Sequence, residues 1–178
     1  MTLGEIKNKA LILLDETSKT ELGRQYLTRM NSFLDTAQKQ LALISPILRS
    51  AVTTATDGEI KKTTEMREIT KIKSIDKKQN LAVIPFGESL LVKQDGQYLL
   101  EYAAYPRTID NQSSDDDLLE ITPEAQEAAH FFLAAMCVTD DEPQMYTLLM
   151  SLYAERASNL NKRMKTVLTV KEGPSRDV

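Results

Sequence analysis

The stretch that decides the fold reads Gln97-Tyr98-Leu99-Leu100-Glu101-Tyr102-Ala103-Ala104-Tyr105-Pro106. It continues through an acidic loop, Asp115-Asp116-Asp117, to Ile121-Thr122-Pro123-Glu124-Ala125. Tyr98, Leu100, Tyr102 and Ala104 recur at every second position, the period of a half-buried strand. Thr122 before Pro123 and Glu124 marks a helix start. The threonine caps, proline suits the first helical position, and a carboxylate favours the positive end of the helix dipole. Ala125, Ala128, Ala129, Phe132, Leu133 and Met136 then supply small and large residues for close helix packing. Asp140-Asp141-Glu142-Pro143 repeats the start logic. A final helix is expected from Pro143 to about Met164, with Tyr146, Leu149, Met150, Tyr153 and Ala157 as its stripe. A strand hands over to a helical hairpin, and no catalytic motif interrupts it.

Working back towards the first residue, Thr2 and Glu5 form a capping box ahead of Leu3, Ile6, Ala10, Leu13 and Leu14, predicting a helix that ends near Thr17-Ser18. A second helix is expected from Glu21–Arg24, burying Leu27, Met30, Leu34, Ala37, Leu41 and Ile44 and kinking or ending near Ser45, because Pro46 lacks an amide hydrogen. From Ala51 the texture turns β-branched. Asp57-Gly58, Asp76 to Asn80 and Gln94-Asp95-Gly96 read as turns, and Pro85 points to an edge strand or strand end. About four or five short strands follow at this spacing. The fold class is therefore α+β: a helical bundle of about four helices with an inserted small antiparallel β-sheet or sandwich. Residues 1–50 and 107–164 are assigned to the bundle, 51–106 to the inserted β region, and 165–178 to a C-terminal extension in which Thr166 to Val170 has strand character.

Composition narrows the chemistry. Among 178 residues, Cys137 is the only cysteine and His130 the only histidine. Intrachain disulfides, cysteine-built zinc sites and multi-histidine metal sites are excluded. His130 has no orienting partner nearby in sequence, so it reads as a packed or surface helix residue, and Cys137 reads as core. The clusters at Asp115–Asp117 and Asp140–Glu142 do not match the calcium-loop pattern and read as caps and solvated loops. No phosphate loop or nucleophile elbow is present. Neither a catalytic residue, a metal site nor a cofactor is assigned. The longest apolar runs fall far short of a membrane span, and the first residues lack the pattern of a signal peptide, so synthesis in the cytosol is expected.

The net charge of −4 conceals segregated blocks. Residues 61–80 hold seven basic and three acidic residues, residues 108–155 hold eleven acidic and no basic ones, and residues 156–178 hold six basic and two acidic ones. Such blocks bear on partners more than on fold. No aromatic residue lies among the lysines of the first block, which argues against a dedicated nucleic-acid binder. Complementary contacts between neighbouring subunits account for both signs at once. They place Lys71, Lys73 and Lys77 opposite Asp115, Asp116 and Asp117 of another copy.

The order of elements resembles the head-to-tail adaptor (connector) proteins of tailed bacteriophages, those built as a helical bundle with a β insertion. The likeness rests on Leu3-Gly4-Glu5-Ile6-Lys7 leading into Leu13-Leu14-Asp15-Glu16, and on Met30 to Gln38. Ala82-Val83-Ile84-Pro85-Phe86, the Tyr98 to Pro106 strand, and Ile121 to Ala129 with Asp140-Asp141 and Tyr153 complete it. The resemblance implies a structural virion protein made in the host cytoplasm and located at the head–tail junction. It implies a homo-oligomeric ring, usually of twelve copies, beneath the portal protein, a tail or stopper protein on the other side, and double-stranded DNA passing non-specifically through the lumen. It also implies that Lys165, Thr166, Val167, Leu168, Thr169, Val170 and Lys171 reach the portal. A cytosolic protein-interaction module with an exposed sheet edge is the alternative.

Overall fold

The computed structural model describes the backbone of residues 1–171 and the side chains of residues 1–160 other than Phe86. It is α+β, and it divides into a helical unit, Met1–Ser45 with the chain from Arg107 onward, and a β unit, Pro46–Pro106. The helical unit holds α1 (Leu3–Leu13), α2 (Glu21–Ile44), α3 (Pro123–Cys137) and α4 (Pro143–Lys171).

The starts of α1, α2 and α3 are capped by threonines. Thr2 Oγ1 accepts from the Glu5 amide at 3.2 Å while Glu5 Oε2 accepts from the Thr2 amide at 2.9 Å. Thr20 Oγ1 accepts from the Gly23 amide at 3.1 Å, and Thr122 caps α3 with Pro123 in the first turn. The end of α1 departs from expectation. Asp15 adopts φ 55, its amide donates to the Ile12 carbonyl at 3.2 Å, and the Glu16 amide donates to the Leu11 carbonyl at 2.9 Å. This is the left-handed helix cap that glycine usually provides. With aspartate in that place the helix stops at Leu13, earlier than the apolar spacing suggests.

α3 is the hub of this unit and packs on α1, α2 and α4. Ten of its fifteen residues are buried. Ala125, Ala128, Ala129, Ala134 and Ala135 let the neighbouring helices approach closely, and Phe132 and Leu133 fill the space between them. α2 contributes Tyr26, Met30, Leu34, Ala37 and Leu41; Leu27 and Ile44 are only half-buried. α4 presents a narrower stripe of Leu149, Tyr153, Ala157 and Leu160. The Tyr153 ring tilts against Phe132 at a centroid distance of 5.2 Å, and its hydroxyl donates to Gln40 Oε1 at 3.2 Å. Residues 166–170, expected as a strand, are instead helical within α4. Extending an established helix adds one hydrogen bond per residue fixed, whereas a lone strand needs a partner.

The acidic loop serves α1. The Leu3 and Gly4 amides, free donors of a helix start, donate to the carbonyls of Asp117 and Asp115 at 2.8 and 2.9 Å. Gln126 Nε2 donates to the carbonyls of Leu119 and Ile121 at 3.0 and 2.9 Å, and Asn31 Nδ2 donates to the Asp110 carbonyl at 2.6 Å.

The β unit holds β1 (Ile47–Ala55), β2 (Glu59–Lys61), β3 (Met66–Ser74), β4 (Gln79–Leu81), β5 (Pro85–Phe86), β6 (Ser89–Leu91) and β7 (Gly96–Ala104). β1 begins four residues ahead of the texture change at Ala51, since chain leaving Pro46 can go straight into pairing with β7, Ile47 opposite Ala104. One antiparallel sheet runs β1-β7-β3-β4 and a second runs β2-β6-β5. The decisive strand of the sequence is thus a central one, flanked by β1 and β3. Asp57 and Gly58 both have positive φ, 54 and 72, so the two-residue turn closes the β1–β2 hairpin as the dipeptide predicts. Pro85 lies in β5 at the margin of its sheet, where a missing amide is harmless. Between the sheets, Ile60, Ile69, Ile72, Leu90, Tyr98, Leu100 and Tyr102 form the core.

Candidate interaction surfaces

Of the six charged residues expected at a subunit interface, Lys71, Lys73 and Lys77 belong to the β unit and Asp115, Asp116 and Asp117 to the helical unit. Asp115 receives Lys7 Nζ at 2.6 Å, and the Lys7 side chain is 8% exposed. Asp117 accepts from the Ser114 amide at 2.9 Å and pairs with Arg107 at 3.6 Å. Two of the three carboxylates therefore have work inside the chain, while Asp116 is exposed and forms no ion pair among the described residues. Lys71 and Lys73 lie two residues apart on β3, sharing a sheet face as expected; Lys71 pairs with Glu101 at 3.3 Å. Lys77 sits in the β3–β4 turn and donates to Gln94 Oε1. The side chains of Lys165 to Lys171 lie outside the described residues.

Lys77 also borders a cavity of about 380 Å³ within the β unit. Its apolar lining is Leu81, Ile84, Leu91, Val92 and Tyr98, and Lys77, Lys93, Asp76 and Asp95 stand among the polar lining. Ile84 is 52% and Leu91 37% exposed, so the apolar wall faces solvent. Asp95 Oδ1 accepts the Gly58 amide at 2.8 Å, which ties the β6–β7 turn to the β1–β2 turn. β4, the margin of its sheet, lines the cavity along Gln79-Asn80-Leu81. Sequence reasoning missed this feature: its walls all come from residues 74–98, and they enclose a hollow only once β4 and the β6–β7 turn are folded.

At the other margin of the same sheet, β1 alternates strictly, with Leu48, Ser50, Val52 and Thr54 outward. Leu48 and Val52 lie opposite Ala103 and Leu99 of β7. A nine-residue margin of this kind is a template for an added strand.

Neither titratable core residue forms a reactive constellation. Cys137 is buried and its thiol is pushed up to about 12 by burial, leaving it protonated and inert at neutral pH. His130 is buried against Phe131, with ring centroids 4.2 Å apart, and no hydrogen bond of good geometry reaches its Nδ1. Burial holds its imidazole below the ordinary range; Glu127 favours the charged form, while Lys9 and Arg156 oppose it. The unfolded chain takes up a proton near pH 6.5 that the folded chain resists, so stability is lost as pH falls through that value and the effect vanishes well above it. Denaturation midpoints measured from pH 5 to 8 are expected to fall on the acid side in the native chain, and the His130→Gln chain is expected to lose the part of that slope between pH 5.5 and 7.

Among the described residues, no group of three or more His, Cys, Asp or Glu is placed to hold a metal ion and no helix is long and apolar enough to cross a membrane. Comparison with known protein families and with curated proteins finds none that matches the chain.

Proposed function

We propose that the chain is a structural head-to-tail adaptor of a tailed bacteriophage, joining copies of itself into a ring between portal and tail or stopper and leaving a channel for the genome. It carries no reaction. The observation that supports this reading is architectural: a helical bundle built round the alanine-rich α3, interrupted between α2 and α3 by a β unit. Charge supports it as well. The acidic residues concentrate in the helical unit and the basic 61–80 block lies in the β unit, so two copies have complementary surfaces to offer. The adaptor works in the virion at the head–tail junction, and the carboxyl-terminal part of α4 with the residues beyond it joins the portal.

This assignment has a direct test. A chain lacking residues 165–178 is expected to keep the circular dichroism of the full chain and to lose co-sedimentation with the cognate portal. Normal co-sedimentation, or loss of the fold, would contradict the assignment of those residues. Subunit contacts are expected to weaken as salt screens exposed charges over about 8 Å.

The unpaired margin of β1 favours a second reading, a cytosolic interaction module that accepts a partner strand. Replacing Val52 by proline would block strand addition at β1 and leave portal joining intact if the adaptor reading holds.

A further inference from the structure

We propose that β1 pairs with β1 of a second copy of this chain, antiparallel about a two-fold axis at Ala51, joining two four-stranded sheets edge to edge. The pairing rests on the unpaired margin of β1 alone and needs neither reading of the function to hold.

The ladder fixes which backbone groups are open. The Ile75 amide donates to the Gln97 carbonyl at 3.0 Å and the Tyr105 amide to the Glu65 carbonyl at 2.8 Å, so the odd-numbered residues of β7 turn their backbone groups to the β3 side. Gly96, Tyr98, Leu100, Tyr102 and Ala104 turn theirs to β1, where they meet Ala55, Thr53, Ala51, Arg49 and Ile47 in an unbroken register. Leu48, Ser50, Val52 and Thr54 consequently point their amides and carbonyls to the open side, along which no strand pairs among the described residues. Thr56, next in that series, exchanges both bonds with Glu59, at 3.0 Å each, and not with β7.

A second β1 fits this row group for group. With Ala51 on the axis, Leu48 stands opposite Thr54 of the other copy and Ser50 opposite Val52, so every open donor and acceptor of both strands is satisfied. The side chains agree. Leu48, 68% exposed, comes diagonal to Val52 of the other copy, itself 62% exposed, within side-chain reach. Arg49, the one charged residue of β1, is held by Glu65 at 3.2 Å and faces Thr53 of the other copy, so no like charges are opposed.

Length selects another β1 over the other margins of the chain. β4 has three residues and follows Lys77 and Lys78, while β2 and β5 have three and two, and β5 opens on Pro85. Short, charged or proline-bearing edges discourage pairing, whereas β1 runs for nine residues without a lysine, a proline or a bulge. A two-fold contact closes at two copies, which sets it apart from the head-to-tail contact that a ring needs.

The test uses the full chain in sedimentation velocity, up to about 1 mM, the range in which weak contacts register. In high salt, where contacts between exposed charges are screened, wild type is expected to dimerise and go no further. Val52→Pro removes an open amide and leaves the β7 ladder whole; it is expected to weaken dimerisation by about tenfold or more without moving the unfolding midpoint. Ser50→Lys, a change of an exposed side chain, is expected to do the same by bringing like charges together. Cysteine cross-linking reads the register. Ala51→Cys places the two cysteines about 4.5 Å apart, Cα to Cα, within disulfide reach, whereas Thr54→Cys places them several residues apart. Oxidation is expected to link the first chain and not the second, the native Cys137 being buried.

A wild type that stays monomeric throughout, either edge variant dimerising like wild type, or equal cross-linking of the two cysteine chains would overturn the pairing. The adaptor reading fails separately. A monomeric wild type that still forms rings on a portal would remove the β1 pair and leave that reading standing. Dimers lost in Val52→Pro, formed by a chain that never joins a portal, would do the reverse.

Discussion

Replacing Gly23 by alanine is expected to destabilise the helical unit by about 2–4 kcal/mol, against the ordinary rule that alanine improves a helix by about 1 kcal/mol over glycine. The reason is local and severe. A Cβ at this position would sit 1.9 Å from the Thr17 carbonyl oxygen and 2.7 Å from Thr20 Oγ1. The first of these atoms is backbone and cannot swing aside, so the 17–20 turn must shift. That turn carries the α2 cap, because Gly23 donates to Thr20 Oγ1 and Thr20 donates to the Thr17 carbonyl. Overpacking and loss of a cap therefore fall together. Urea denaturation of the Gly23→Ala chain reads the change directly, and a midpoint equal to that of wild type would show that the turn is not built as described.

A comparable loss, about 2–5 kcal/mol, is expected for Leu133→Ala. Leu133 is fully buried in α3, which packs on the other three helices. Ala129 and Ala134 beside it on that helix are already small, so little can collapse from them into the space left behind. Leu148→Ala provides the contrast: the side chain is 55% exposed on α4, and its removal should change stability by no more than about 0.5 kcal/mol. Equal effects at the two positions would refute α3 as the hub.

What could be read from the sequence divides along physical lines. Caps and turns are local, and Thr2 with Glu5, Thr122 with Pro123, and Asp57-Gly58 announced their elements because each motif satisfies its own backbone groups. The alternation of Tyr98, Leu100, Tyr102 and Ala104 survived because that face is the core of the β unit. Asp15 was opaque: a left-handed residue that is not glycine leaves no mark in composition. Gly23 was opaque for a related reason, since its need arises from the path of the preceding turn. The acidic triad was seen as a charged surface, yet two of its members serve inside the chain. The partner of Asp115, Lys7, stands 108 residues away, beyond the reach of any spacing rule. Of the interaction surfaces, the shared face of Lys71 and Lys73 was legible from strand period alone, whereas the cavity beside Lys77 needed the β4 margin and the β6–β7 turn to be brought together.

The adaptor reading is tested most directly by electron microscopy of the full chain mixed with its cognate portal. A closed ring of this chain seated coaxially on the portal, with an open channel through its centre, is the expected result. Portal particles that remain bare at saturating concentrations of the folded chain would contradict it.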